Sequence, residues 1–202
     1  MWVAAFYRFT FFTEEELDPL RKRLETLADT ANLKGTVLPA PEGVNGALSG
    51  YRHQLKGFVS AMGSDPRLAN LEVKTSCCPD HAFHRLNVMI MREIVNLGRP
   101  NVNAHEAVGI DVEAQDWDAL IQDPSTLLID TRNDDEVALA RFKAAIDPGA
   151  RRLRDSPGWV DRHLIPDLEH TPAERRPQRL ALFCTGGIRC EKATSYLLRQ
   201  GL

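Results

Sequence analysis

Residues 179 to 198 read RLALFCTGGIRCEKATSYLL: an apolar run meets a thiol at Cys184, passes Thr185, Gly186 and Gly187, and takes up helical spacing from Ile188. A thiol so placed has three readings: nucleophile, metal ligand, or small buried residue in a turn. Free Cys packs like a small hydrophobe, which keeps the third reading open. The glycines weigh against it. They reach the positive φ values that let successive N–H groups point inward, and a helix N-terminus adds the positive end of its dipole. Such a ring holds an anion, so the sequence predicts a thiolate of lowered pKa, with Arg189 as a further positive group. The corresponding chemistry is that of a sulfur nucleophile or a persulfide carrier. A phosphatase is disfavoured, because its phosphate-cradling loop needs one residue more than the four between Cys184 and Arg189. Cys190, six residues after Cys184, is either a resolving thiol or a packed residue at the helix start.

A second cluster stands at Asp130, Thr131 and Arg132, where TLLIDTR ends. An arginine at the end of a buried strand needs an anionic partner, so Asp130 is expected to orient Arg132 beside the cysteine loop. The alternative is a structural ion pair and helix cap, since DTRNDDE also suits a helix start. CCPDHAFH offers Cys77, Cys78, His81 and His84 as soft ligands, but adjacent cysteines suit one tetrahedral ion poorly and the usual Cys-x2-Cys spacing is missing. The expectation there is a turn between strands, and no metal. The best basic and aromatic cluster is RRLRDSPGW, with Arg151, Arg152 and Arg154 near Trp159; it reads as a solvated face or as phosphate contacts for RNA.

The elements that must position these residues fall into two styles. WVAAFYRFTFF suits a strand, and TEEELDPLRKRLETLADTAN a helix, with Leu17, Leu20, Leu24 and Leu27 on one face and a Thr13/Glu16 capping box. GTVLPAPEGVNGALSG reads as two strands around a turn, YRHQLKGFVSAMGS as a helix, and NLEVKTSCC and RLNVMIMREIVNLG as strands. This is the split βαβ order of an α+β, ferredoxin-like domain over residues 1–98. Residues 99–112 read as a linker. From 113 to 202 short apolar strands alternate with helices (EAQDWDALIQD, TLLIDTR, DDEVALARF, RLALFC and the last helix), which predicts a three-layer parallel α/β sheet with its ligands at the strand carboxyl ends.

Composition bounds the rest. A hydrophobic share of 43% with 26% charged residues is enough to bury a core and excludes a disordered chain. The N-terminal residues lack the basic start of a signal peptide and the apolar length of a membrane span, so a cytoplasmic protein is expected. Four cysteines in two close groups make no disulfide framework for a chain of this length. A net charge of −3 gives no global pull on nucleic acid or anionic membrane, so any such contact must be local.

IDTRN at 129–133 with FCTGGIRCEKA at 183–193 resembles the rhodanese-like domain of the bacterial tRNA uridine hydroxylase family, and GTVLPAPEGVNGALSG, FHRLNVMIMREIVNLG and GIDVEAQDWDALIQDP resemble that family's other segments. The resemblance covers nearly the full chain. It implies oxygen-dependent hydroxylation of the wobble uridine of tRNA to 5-hydroxyuridine, with Cys184 catalytic, the loop from Thr185 through Gly186, Gly187 and Ile188 to Arg189 around it, Cys190 as the second loop cysteine, tRNA as partner, molecular oxygen as co-substrate and no evident cofactor. The alternative is a rhodanese-type sulfurtransferase carrying a Cys184 persulfide. Departures are Ala140, where the family usually has glycine, and LRDSP at 153–157 in place of a phenylalanine-rich stretch. The resemblance also implies an incomplete second domain, since family members continue past the glycine matching Gly201 into a further strand, a glycine-rich turn and a helix.

Overall fold

The computed structural model describes residues 1–99 and 101–202. The chain divides into two compact units, Met1–Ile94 and Val95–Leu202.

In the first unit β1 (Trp2–Phe9), β2 (Lys34–Ala40), β3 (Gly43–Gly50) and β4 (Glu72–Cys77) form an antiparallel sheet in the order β4-β1-β3-β2, and β5 (Leu86–Val88) adds to β2 in parallel. Helices α1 (Glu14–Thr30) and α2 (Arg52–Met62) complete the ferredoxin-type split βαβ arrangement expected from the sequence. The α1 capping box is made: the Thr13 N–H donates to Glu16 Oε2 at 2.8 Å. Leu17, Leu20, Leu24 and Ala28 are the buried stripe of α1, so Ala28 takes the place expected for Leu27, which packs at the core's edge. The core is closed by Phe6, Val37, Leu48, Phe58 and Met62. Gly43 fixes the β2–β3 turn: its φ is +146°, and a Cβ there would lie 2.0 Å from the Arg8 carbonyl oxygen of the neighbouring strand. The strand expected over 85–98 is short as a regular element. Beyond Val88 the chain still follows β2, with Met89 and Met91 donating to the carbonyls of Val37 and Pro39.

In the second unit β6 (Thr126–Asp130) and β7 (Arg179–Phe183) pair in parallel, with Ile146 bridging to the far side of β6. Alternation sorts their side chains. Leu127, Ile129, Leu180 and Leu182 face α7 (Ile188–Arg199) and the helical stretch built from α5 (Ser156–Trp159), a π turn (Val160–Leu164) and α6 (Ile165–His170). On the other face Phe183 meets Phe142 edge-on at 4.9 Å between centroids, and Trp117 of α3 (Ala114–Gln122) closes the cluster at 6.0 Å from Phe142. Residues 99–112, which read as a linker in the sequence, belong to this unit: Val102 and Ala104 are buried, and the Gly109 N–H donates to Thr194 Oγ1 at 3.0 Å.

Two further sequence expectations change in the second unit. The helix expected over DDEVALARF is a single turn, α4 (Asp134–Val137), because Arg132 Nη2 takes the Ala140 carbonyl at 2.6 Å and draws the chain away. The helical stretch from 156 to 170 has no counterpart among the expected elements. Pro157 starts α5, and the π turn bonds the Ile165 N–H to the Val160 carbonyl, which carries the helix past Pro166, a residue with no N–H to give.

Candidate active site: the Cys184 loop

Strand β7 ends at Phe183, and the next residue, Cys184, stands at its carboxyl end. Gly187 turns the chain into α7 with a φ of 92°, a left-handed value open to glycine and strained for other residues. That turn brings the Gly187 N–H to 3.0 Å from Cys184 Sγ. The thiol of Cys190, one turn into α7, donates to the same sulfur, and burial opposes it. The backbone N–H groups of Cys190, Gly186 and Gly187 add their share, and together these donors hold the Cys184 thiol at about 5, far below an ordinary thiol. Cys190 moves the opposite way: its proton is held by the Cys184 sulfur and by burial, so its pKa is raised. Its sulfur also lies 3.5 Å from Thr131 Oγ1, which donates to the Phe183 carbonyl at 2.9 Å. Of the two sulfurs, Cys184 is thus the one whose charged form is favoured and Cys190 the one whose proton is favoured.

Arg132 and Arg189, the two arginines expected beside the cysteine, are both committed to carboxylates. Arg132 clasps Asp130 through Nε (2.9 Å to Oδ1) and Nη2 (2.7 Å to Oδ2), lies 5.2 Å above the centre of the Phe183 ring, and leaves Asp130 fully buried. Arg189 clasps Glu136, with Nη1 2.5 Å from Oε2 and Nη2 2.7 Å from Oε1. Thr185 Oγ1 donates to Glu136 Oε1 as well, and the Asn133 N–H reaches Oε2 at 3.1 Å. Arg189 first, then Thr185 and Asn133, pull the Glu136 carboxyl down to about 2. Glu136 is the residue that sequence reasoning missed. Its signal was the Asn133-x-x-Glu136 capping box of DTRNDDE, which by itself indicates only a helix start.

The remaining candidates lie elsewhere. Arg151, Arg152 and Arg154 are exposed, around the short turn Leu153–Asp155, with Trp159 half-buried nearby in sequence. Cys77 is exposed, Cys78 half-buried, and the His81 ring nitrogen sits 3.0 Å from Ser49 Oγ. Among the described residues no three His, Cys, Asp or Glu side chains converge as a metal would require. No helix of the described residues is long and apolar enough to cross a membrane.

Fold and site together define a class: a ferredoxin-type domain followed by an α/β unit that presents an activated cysteine at a strand–helix junction. Comparison with known proteins carries this further. Residues 1–94 match the model of the UPF0176 acylphosphatase like domain. The chain is 45% identical over 98% of its length to the tRNA uridine(34) hydroxylase of Prochlorococcus marinus (strain MIT 9313), spanning 63% of that protein. It is 44% identical over 98% of its length to the tRNA uridine(34) hydroxylase of Synechococcus elongatus (strain ATCC 33912 / PCC 7942 / FACHB-805), spanning 70%. Among solved structures, the acylphosphatase from Bacillus subtilis is similar over 44% of this chain and 97% of its own, with 18% identity and a TM-score of 0.35. The chain belongs to the tRNA uridine(34) hydroxylase family.

Proposed function

We propose that this protein is a cytoplasmic tRNA-modifying enzyme that hydroxylates the wobble uridine to 5-hydroxyuridine, with molecular oxygen as co-substrate and the Cys184 thiolate as the reactive group of its loop. The observation that carries the reading is the Cys184 sulfur at the end of β7, which accepts from the Gly187 N–H at 3.0 Å in a chain of this family. The second unit supports a rhodanese-like assignment, since a parallel β6–β7 pair covered on both faces ends in the cysteine loop. At neutral pH the sulfur is unprotonated and needs no separate base. Within the loop, Cys190 keeps a proton in contact with Cys184, Gly187 fixes the sulfur's position, and Arg189 with Glu136 braces the loop against α4. Exposed Arg151, Arg152 and Arg154 are the basic group that would meet tRNA phosphates.

Nucleoside mass spectrometry tests this directly. A strain lacking its own uridine hydroxylase is supplied with the full chain, intact or as Cys184→Ser. Return of 5-hydroxyuridine with the intact chain alone is the expected result. No change in the uridine with either protein would overturn the reading. Sulfur transfer would then lead: the Cys184 thiolate would take the outer sulfur of a sulfane donor such as thiosulfate, with sulfite leaving, and the persulfide would be read as an added sulfur mass on the loop peptide.

A further inference from the structure

An arginine in a loop that cradles an anion is ordinarily there to greet an anionic reactant. In this loop it is already occupied. Both terminal nitrogens of Arg189 lie on Glu136 oxygens, at 2.5 and 2.7 Å, and Nη2 is also 3.2 Å from Thr185 Oγ1. The pair is largely withdrawn from solvent: the Arg189 side chain is 15% exposed and that of Glu136 27%. Arg189 meets both the Glu136 carboxylate and the Cys184 sulfur, so its one positive charge is shared between two negative partners. The other arginine at this strand end, Arg132, is spent on Asp130. The inward N–H groups of Gly186, Gly187 and Cys190 are spent on the Cys184 sulfur.

We propose that Glu136 is a specificity-determining residue of the Cys184 loop: by occupying Arg189 it turns a loop built to hold an anion into one that holds only its own thiolate, rejects anionic reactants and admits uncharged ones. The inference rests on Cys184 being the reactive thiol. An uncharged pyrimidine ring fits such a loop; thiosulfate, a dianion, does not. Each charge on the reactant meets the thiolate and the Glu136 carboxylate, and both arginines of the loop are already neutralised.

Two alkylating agents of the same chemistry and different charge test it. Iodoacetamide is neutral and iodoacetate anionic; with either, the thiolate sulfur forms a bond to the CH2 carbon and iodide leaves. Rates are read as mass gain on the loop peptide, which separates Cys184 from Cys77 and Cys78. The wild-type protein should prefer iodoacetamide over iodoacetate by a larger factor than a simple free thiol does under the same conditions. Glu136→Gln should lower that preference about tenfold by releasing Arg189, and the double variant Glu136→Gln/Arg189→Met should restore it. A wild-type preference for iodoacetate overturns the proposal without recourse to any variant. So does a Gln variant that melts like wild type and keeps the wild-type ratio, or a double variant that keeps the Gln variant's ratio. If Cys184 in the wild type reacts no faster at neutral pH than an ordinary thiol, the reactive-thiol reading itself fails, and this inference with it.

Discussion

Arg189 and Glu136 meet in a two-pronged ion pair across the mouth of the cysteine loop, Nη1 to Oε2 at 2.5 Å and Nη2 to Oε1 at 2.7 Å. The pair joins the first turn of α7 to the single turn α4, and its strength has a pH signature. Glu136 titrates near 4.5 in an unfolded chain and near 2 here, chiefly because of Arg189. A depressed carboxyl stabilises the fold fully above the unfolded value and loses that contribution as pH falls through the folded one. The stability gap between wild type and Glu136→Gln should therefore be about 1 kcal/mol above pH 4.5, allowing for partial solvent screening, and should close toward pH 2. Urea melts across that range measure it; a gap that stays constant down to pH 2 would count against the pair.

The Cys184 thiolate should appear in the pH profile of alkylation with a midpoint about 5. Its stabilising contribution is complete above the ordinary thiol range and disappears as pH falls through that midpoint. The foremost cause is the Cys190 thiol, so Cys190→Ala should raise the midpoint by about one unit or more. A profile unmoved by that change would mean the backbone N–H groups alone hold the charge.

Gly187→Ala forces a side chain into a φ of 92° and should cost about 1–2 kcal/mol in stability. The same change moves the N–H that lies 3.0 Å from Cys184, so alkylation at pH 7 should slow while Gly149→Ala, also at positive φ but far along the chain, leaves it unaltered. Thermal melts and alkylation rates read the two effects separately.

Asp130 is fully buried and holds Arg132 through three side-chain hydrogen bonds and the Arg132 N–H at 3.0 Å. Asp130→Ala should destabilise the second unit by about 3 kcal/mol, by leaving a largely covered guanidinium without its partner. Adding Arg132→Met should recover part of the loss, as a denaturation series on both variants would show.

Reversing Arg151 and Arg152 to Glu should weaken tRNA binding and lower the steepness of its salt dependence by roughly one for every phosphate that is no longer neutralised. Mobility-shift titrations at several salt concentrations give both numbers. Unchanged affinity and slope would place the RNA surface elsewhere.

Much of this was legible in the residues because local signals and burial agreed. The α1 capping box, the aromatic and β-branched run of β1, and the glycines before α7 each specify a conformation without knowledge of distant partners. Partners across space were not legible. Glu136 has the signature of a helix cap, and only the folded chain brings Arg189, 53 residues later, onto it. Residues 99–112 lack periodicity because they pack through single side chains such as Val102 rather than through a regular face. The helix from 156 to 170 was hidden by Pro157, Gly158 and Pro166, which count as breakers until the π turn is seen to absorb the second proline.

That π turn is, in effect, one extra residue spliced into a helix. It sets Asp161 where the Tyr196 hydroxyl and Arg99 both reach it, and it keeps Val160 and Leu164 in the core. Excising one residue between 160 and 164 would restore the ordinary helical repeat and leave everything after it on its present face. Leu168 would stay packed against that core. A sequence aligned to this chain with a single gap in the segment should therefore keep the same apolar register from Ile165 onward.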